Sequence, residues 1–198
     1  MSDTKQIWSP STDESEECFF RGELGTPLPT DALDVLHSGL EGHGWMGEEG
    51  FRINIARDTT KHRAFSGRVV HTTQDSYEST VTVTFFEQSP NVLATVFGDA
   101  NVDVDFTGGH RKTTVRYEED ELPLSSFVIR AVEGNKTVMW VIPEGRIVET
   151  DEFQVVHSAP WTYTVTIDCM KPATGTNPDN PAAINKYIDE PDVTEPGS

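Results

Sequence analysis

Basic residues are scarce in this chain: 15 Lys and Arg stand against 33 Asp and Glu, a formal net charge of −18 over 198 residues. Charge of that sign repels phosphate backbones and anionic lipids, which argues against an ordinary DNA-binding or membrane-surface module. Cysteine is nearly missing. Cys18 and Cys169 are the only two, so neither a disulfide framework nor a Cys-based zinc site is available. No apolar run approaches the roughly 20 residues that a bilayer-spanning helix needs. The first 20 residues lack the basic and apolar blocks of a secretory signal and carry Asp3, Asp13, Glu14, Glu16 and Glu17 instead. A soluble, acidic, cytosol-made protein with one main domain is expected.

The acid is not confined to the ends. Residues 21–170 hold 23 acidic and 12 basic side chains, a net −11. The flanks read as an acidic N-terminal arm over 1–20 and a Pro-rich acidic C-terminal arm over 171–198. The second carries Pro172, Pro178, Pro181, Pro191 and Pro196 and too little apolar content to pack alone. Such a segment is either disordered or orders on a neighbouring subunit through Ile184, Tyr187 and Ile188.

The body reads as β. Val81, Val83 and Phe85 alternate with Thr80, Thr82 and Thr84, and Trp161, Tyr163, Val165, Ile167 and Cys169 alternate with Thr162, Thr164, Thr166 and Asp168. Thr113, Val115 and Tyr117 form a similar run. Phe127, Ile129 and Ala131 precede Gly134-Asn135, and Val138, Trp140 and Ile142 follow it, which is a hairpin signal. Ile147 and Val148 lie in a further run, and weaker strands are expected at 18–24, 51–57, 67–74 and 101–107. One helix stands out. Ser89 is a good N-cap, Pro90 suits the first helical position, Val92, Leu93, Val96 and Phe97 share a face, and Gly98 supplies a left-handed stop. A second short helix is expected from Thr30 through Ala32, Leu33, Val35 and Leu36. The sum is a mainly β, antiparallel sandwich or barrel with one flanking helix.

Residues 37–50 contain five glycines around Trp45 and Met46, a composition expected to preclude a regular element. A large aromatic on such a loop either folds back on its own core or packs against another molecule. His43 with Glu48 and Glu49 brings metal-ligating types together, but the glycines between them fix no geometry, and a solvated polar loop is expected. The six histidines are scattered, and no pair sits in a His-Glu-x-x-His arrangement. There is no Gly-x-Ser-x-Gly elbow and no phosphate-cradling loop. Gly108-Gly109 reads as a hairpin turn. Cys18 and Cys169 fall at strand ends with no positioned base, so buried inert thiols are expected. Asp103 and Asp105, two apart, project from one face of a strand whose other face carries Val102, Val104 and Phe106. A solvated face is the plain reading, and an acid–base pair the catalytic one. No enzyme, cofactor or metal is expected.

The order of features is another matter. Gly22-Glu23-Leu24-Gly25-Thr26-Pro27-Leu28-Pro29-Thr30-Asp31, then Gly44-Trp45-Met46-Gly47-Glu48-Glu49-Gly50-Phe51, Ala64-Phe65-Ser66-Gly67, Thr84-Phe85-Phe86-Glu87 and Asn91-Val-Leu-Ala-Thr-Val-Phe97 follow one another. This succession, closed by the Thr-alternating strand from Trp161 to Asp168, resembles siphophage major tail proteins, the tail tube proteins, over about residues 21–170. It departs from them at Ala64-Phe65-Ser66, where related sequences often carry a tryptophan and a further glycine.

The resemblance implies a structural subunit with a β-sandwich-like fold and a flanking helix. It implies hexameric rings that stack into a hollow tube, with strands from all six copies closing into a barrel around the channel. Genome DNA passes through that channel, and a tape-measure protein fills it during assembly. Further partners would be tail terminator and distal tail or initiator proteins, without membrane binding. The protein would be made in the host bacterial cytoplasm and end in the virion tail. On this reading the glycine-rich stretch, about 37–62, is a stacking loop with Trp45, Met46 and Phe51 as anchors between rings. Asp103, Asp105, Glu118 and Glu119 are expected to face the lumen. Two alternatives remain: the tube of a contractile tail, bacteriocin or secretion system, and a monomeric β-sandwich binding module using Trp140 or Trp161.

Overall fold

A computed structural model describes residues 17–174 and 176–190. Most of the expected acidic arm over 1–20, and the last eight residues of the C-terminal one, lie outside the described residues. The fold is mainly antiparallel β with one α-helix. Its strands are β1 (Phe19–Glu23), β2 (Glu41–Gly42), β3 (Met46–Arg63), β4 (Val69–Phe85), β5 (Val102–Thr107), β6 (His110–Val115), β7 (Ser125–Glu133), β8 (Lys136–Thr150), β9 (Tyr163–Met170) and β10 (Asn185–Asp189). Seven of them follow the order β2-β1-β7-β8-β9-β4-β3 in one sheet, β10 joins that sheet on β8, and β5 pairs with β6 in a small separate sheet.

Alternation explains the central strands. Tyr163, Val165, Ile167 and Cys169 of β9 are buried beside Val81, Val83 and Phe85 of β4. On the opposite face Thr84 and Thr164 hydroxyls meet at 2.8 Å and those of Thr82 and Thr166 at 3.3 Å, cross-strand pairs that add to the ladder. The expected hairpin forms around Gly134, whose φ of 60° suits the tight turn between β7 and β8. Gly108 and Gly109 likewise turn β5 into β6. At Gly145 of β8 a Cβ would stand 2.9 Å from Ile167 and 3.0 Å from Phe127, so only a hydrogen fits.

The helix α1 (Pro90–Phe97) forms as expected, with Ser89 accepting from the Val92 amide and Val92, Leu93 and Val96 buried on the sheet. Gly98 ends it at φ 95° and ψ 142°, a positive φ but with extended ψ, outside the left-handed helical region. The second core face was not foreseen. Val128, Met139 and Val141, on the side of the sheet away from α1, pack with Leu40, Leu28, Leu36 and Tyr187.

Three expectations are corrected. Residues 30–36 form turns, because Asp34 accepts from the amides of Thr30 and Asp31 while Asp31 accepts from that of Leu33. These short side chains compete with helical bonding for the same donors. The glycine-rich stretch is not free of regular structure: β2 pairs with β1 there, and β3 begins at Met46. The C-terminal stretch read as an arm contributes a strand to its own chain. β10 pairs with Thr137 to Val141 of β8, on the edge that β9 occupies further along.

Candidate assembly surfaces

The sheet ends in a long ribbon. β3 has 18 residues and β4 has 17, and they pair from Met46–Phe85 out to Arg63–Val69. Beyond Ile53 on β3 and Ser79 on β4 almost every side chain is exposed on both faces. That projecting part is eight paired positions long, roughly 25 Å at strand rise. Its tip turns through Gly67 at φ 81°, and Phe65 is fully exposed there. β3 has no partner on its outer side among the described residues, leaving a long row of unpaired amide and carbonyl groups, the kind of edge that soluble monomers usually cover.

The three aromatic and thioether anchors do not converge. Trp45 is half exposed, and its amide donates to Glu87 Oε1 at 3.2 Å. Met46 and Phe51 turn inward against the core, Phe51 lying edge-on to Trp140 at 4.9 Å. Between them residues 47–50 face the single Thr84 of β4, an arch closed by Gly50 at φ 66°. Trp45 and the arch are thus presented outward at the root of the ribbon.

The four acids also separate into two places. Asp103 and Asp105 lie exposed on one face of β5, as the alternation required; Asp103 stands opposite Thr114, while Asp105 stands opposite Lys112 and accepts from Thr107 at 2.5 Å. Glu118 and Glu119 lie on the exposed connection between β6 and β7, next to Glu121, which pairs with Arg146. A cleft of about 450 Å³ opens beside this connection, between Phe97, Tyr117 and Val148.

His43 was read as part of a solvated loop and is instead buried. Its Nδ1–H donates to the Glu41 carbonyl at 2.9 Å, which leaves Nε2 to accept from the Thr95 hydroxyl at 2.6 Å. The ring packs against Phe19 and Phe85, with centroids 5.3 and 5.6 Å away. Burial holds its pKa down at about 4, so the imidazole is neutral at ordinary pH. Beside it Arg21 pairs with Asp99 at 2.5 Å and donates to Ser125 at 3.0 Å, lining a cleft of about 310 Å³. This group ties β1, the glycine-rich stretch and α1 together. The sequence held no signal for it, since His43 stands between Gly42 and Gly44.

Two hydroxyls meet a histidine among the described residues, Thr95 at His43 in the buried group and Thr73 at His62 on the exposed ribbon. Cys169 is buried, and burial, with Asp168 adding to it, pushes its thiol up to about 12, while Cys18 is buried and in no disulfide. Among the described residues no group of three or more His, Cys, Asp or Glu is placed to hold a metal ion, and no helix is long and apolar enough to cross a membrane.

No family model matches the chain, and no curated protein matches it. Among solved structures it is similar to a chain of the tail of an empty gene transfer agent particle, at 9% identity and a TM-score of 0.41, covering 80% of this chain and 93% of that one. It is similar as well to a chain of the sheath–tube complex of an extracellular contractile injection system, at 9% identity and a TM-score of 0.42, covering 89% and 99%. A third likeness, at 11% identity and a TM-score of 0.42, is to a chain of the tube-terminating cap of the anti-feeding prophage, covering 96% and 99%. Likeness at that level leaves the role of this chain to be argued from its own surfaces.

Proposed function

We propose that this chain is the repeating subunit of a bacteriophage tail tube of the siphophage kind, six copies closing into a ring and rings stacking into a hollow shaft. The observation that carries the reading is the ribbon: a long two-stranded projection, exposed on both faces and open along β3. A monomer gains nothing from such a strand pair, since it buries little and leaves a pairing edge unguarded. Identical copies satisfy it. A head-to-tail contact whose rotation closes turns each open edge into a paired one and ends the series at a ring. Residues 21–170 then build the wall of the tube, with Trp45 and the arch over residues 47–50 at the contact between successive rings and Met46 and Phe51 bracing that contact from inside the subunit.

Charge suits the cargo. Duplex DNA carries about one negative charge per 1.7 Å, so a basic wall would retain it and an acidic wall lets it slide. Asp103, Asp105, Glu118 and Glu119, all exposed, are the bore-facing candidates in this reading. On this reading the remaining partners would be a tape-measure protein in the channel, a terminator at one end and an initiator complex at the other. The role is structural, and the site is the virion tail.

Negative-stain microscopy of concentrated protein, with and without the tail-tip initiator complex, tests this. Rings or tubes with six-fold symmetry are expected. Protein that remains monomeric in the presence of the initiator would overturn the proposal.

A further inference from the structure

The projecting ribbon is electrically two-sided. Alternate residues of β3 share a face, and on the face continuous with the core-facing Ile53 these are Ile55, Arg57, Thr59, Lys61 and Arg63. Their partners on β4 are Ser79, Tyr77, Gln74, Thr72 and Val69, so this face carries three cations and no carboxylate. Arg57 lies over the Tyr77 ring at 5.0 Å, and the Arg63 guanidinium donates to the Gly67 carbonyl at 3.0 Å. Among the described residues none of the three cations has an acidic partner. The opposite face holds Asp58 and, across from Ala56, Glu78. Asp75, left unpaired by the bulge between Asp58 and Thr59, accepts from Thr60, which belongs to that second face.

We infer that the cationic face of the ribbon, centred on Arg57, Lys61 and Arg63, seats on the acidic surface of a second copy of this chain and leaves the anionic face turned away from that copy. The inference rests on the proposed self-assembly and adds which side of the ribbon makes the contact. Two arguments choose the occupant. Copies with a net charge of −18 repel one another, so an assembly contact is favoured where it sets cations of one copy against acids of the next. Three clustered cations, unpaired with acids and borne on a strand pair that buries little in its own chain, are suited to that contact. Ile55 and Tyr77, both about half exposed in the monomer, add apolar area on the same face.

The test compares the two faces by sedimentation and negative-stain microscopy across a salt series, with initiator present. The variant Arg57→Glu/Lys61→Glu/Arg63→Glu is expected to stay monomeric at roughly tenfold the concentration at which the wild type assembles, with an unchanged melting profile. Arg57→Lys with Arg63→Lys should keep most of the assembly, and Asp58→Lys with Glu78→Lys should assemble near the wild-type threshold. Assembly of the triple Glu variant at the wild-type threshold would overturn the inference while leaving the tube reading intact. So would an equal loss in the Asp58/Glu78 variant, which would make the contact two-sided or a matter of total charge. A wild type that forms no rings in the same experiment would remove both.

Discussion

His43 Nε2 and Thr95 Oγ1 lie 2.6 Å apart, joining the glycine-rich stretch to the middle of α1 across 52 residues of chain. The ring is buried and neutral, with its pKa down at about 4 against an ordinary 6.5. Below about pH 6.5 the unfolded chain takes up a proton at this position that the folded chain refuses until about pH 4. A lowered histidine pKa therefore contributes stability at neutral pH that drains away as pH falls through that window, by an amount on the order of 3 kcal/mol. Denaturant midpoints taken at several pH values should drop more steeply for the wild type than for His43→Gln between about pH 6.5 and 4. Parallel curves would place the ring in contact with water.

Thr95→Val tests the same pair from the other side. Valine keeps the shape and removes the hydroxyl that donates to Nε2, leaving a buried acceptor unsatisfied, a loss of about 1–3 kcal/mol. Chemical denaturation at neutral pH measures it.

Gly145→Ala is expected to be among the more damaging single-methyl additions. The new Cβ would meet Ile167 at 2.9 Å and Phe127 at 3.0 Å, both on strands paired with β8 and both fixed in the core. Overpacking of this kind costs about 1–3 kcal/mol. Gly134→Ala, with open space around the Cβ position but a φ of 60°, separates steric crowding from backbone strain. Comparing the two melting temperatures decides which matters more in this hairpin.

The parts of the fold that were legible in the sequence are those where one face is buried and the other is not. Tyr163, Val165 and Ile167 announce β9 because the sheet buries every second residue, and Ser89, Pro90 and Gly98 announce α1 because its ends need those residue types. The ribbon was seen only as two short weak strands. Thr59, Thr60, Lys61 and His62 carry no apolar alternation, since neither face of the ribbon meets a core. At residues 30–36 the apolar spacing suggested a helix, but Leu33 and Val35 are exposed and the spacing is incidental to the Asp31 and Asp34 turns. The charged two-sidedness of the ribbon becomes visible only once the pairing register between β3 and β4 is known.

Removing β10 should unsettle the monomer. This strand covers the edge of β8 from Thr137 to Val141, and the single Tyr187 hydroxyl proton is shared between the Asp179 carbonyl and Asn180 Oδ1, while Asn180, itself buried, donates to the Pro29 carbonyl at 3.2 Å. A chain ending at Ile184 loses that cover and exposes Met139 and Val141 on the second core face. Faster hydrogen exchange in β8 is expected, along with concentration-dependent aggregation through the freed edge. Unchanged exchange in β8 would show that β10 adds nothing to the sheet.

On the proposed ring-stacking reading, Trp45 and Phe51 would separate assembly from folding, although they lie six residues apart in one glycine-rich stretch. Phe51 is partly buried and packs edge-on against Trp140, so Phe51→Ala should cost the monomer about 2 kcal/mol, below the range for fully buried aromatic truncations. Trp45 is half exposed, and its hydrogen bonds to its own chain are made by its backbone, with the Phe86 amide donating to its carbonyl at 3.1 Å. Trp45→Ala should therefore leave the melting temperature within a degree or two of wild type. If the indole fills a pocket on the next ring, the same variant loses tubes and accumulates single rings or monomers, because large aromatics dominate such contacts. Normal tubes from Trp45→Ala in electron micrographs would move the inter-ring contact away from this residue, and the arch over residues 47–50 would be the next place to look.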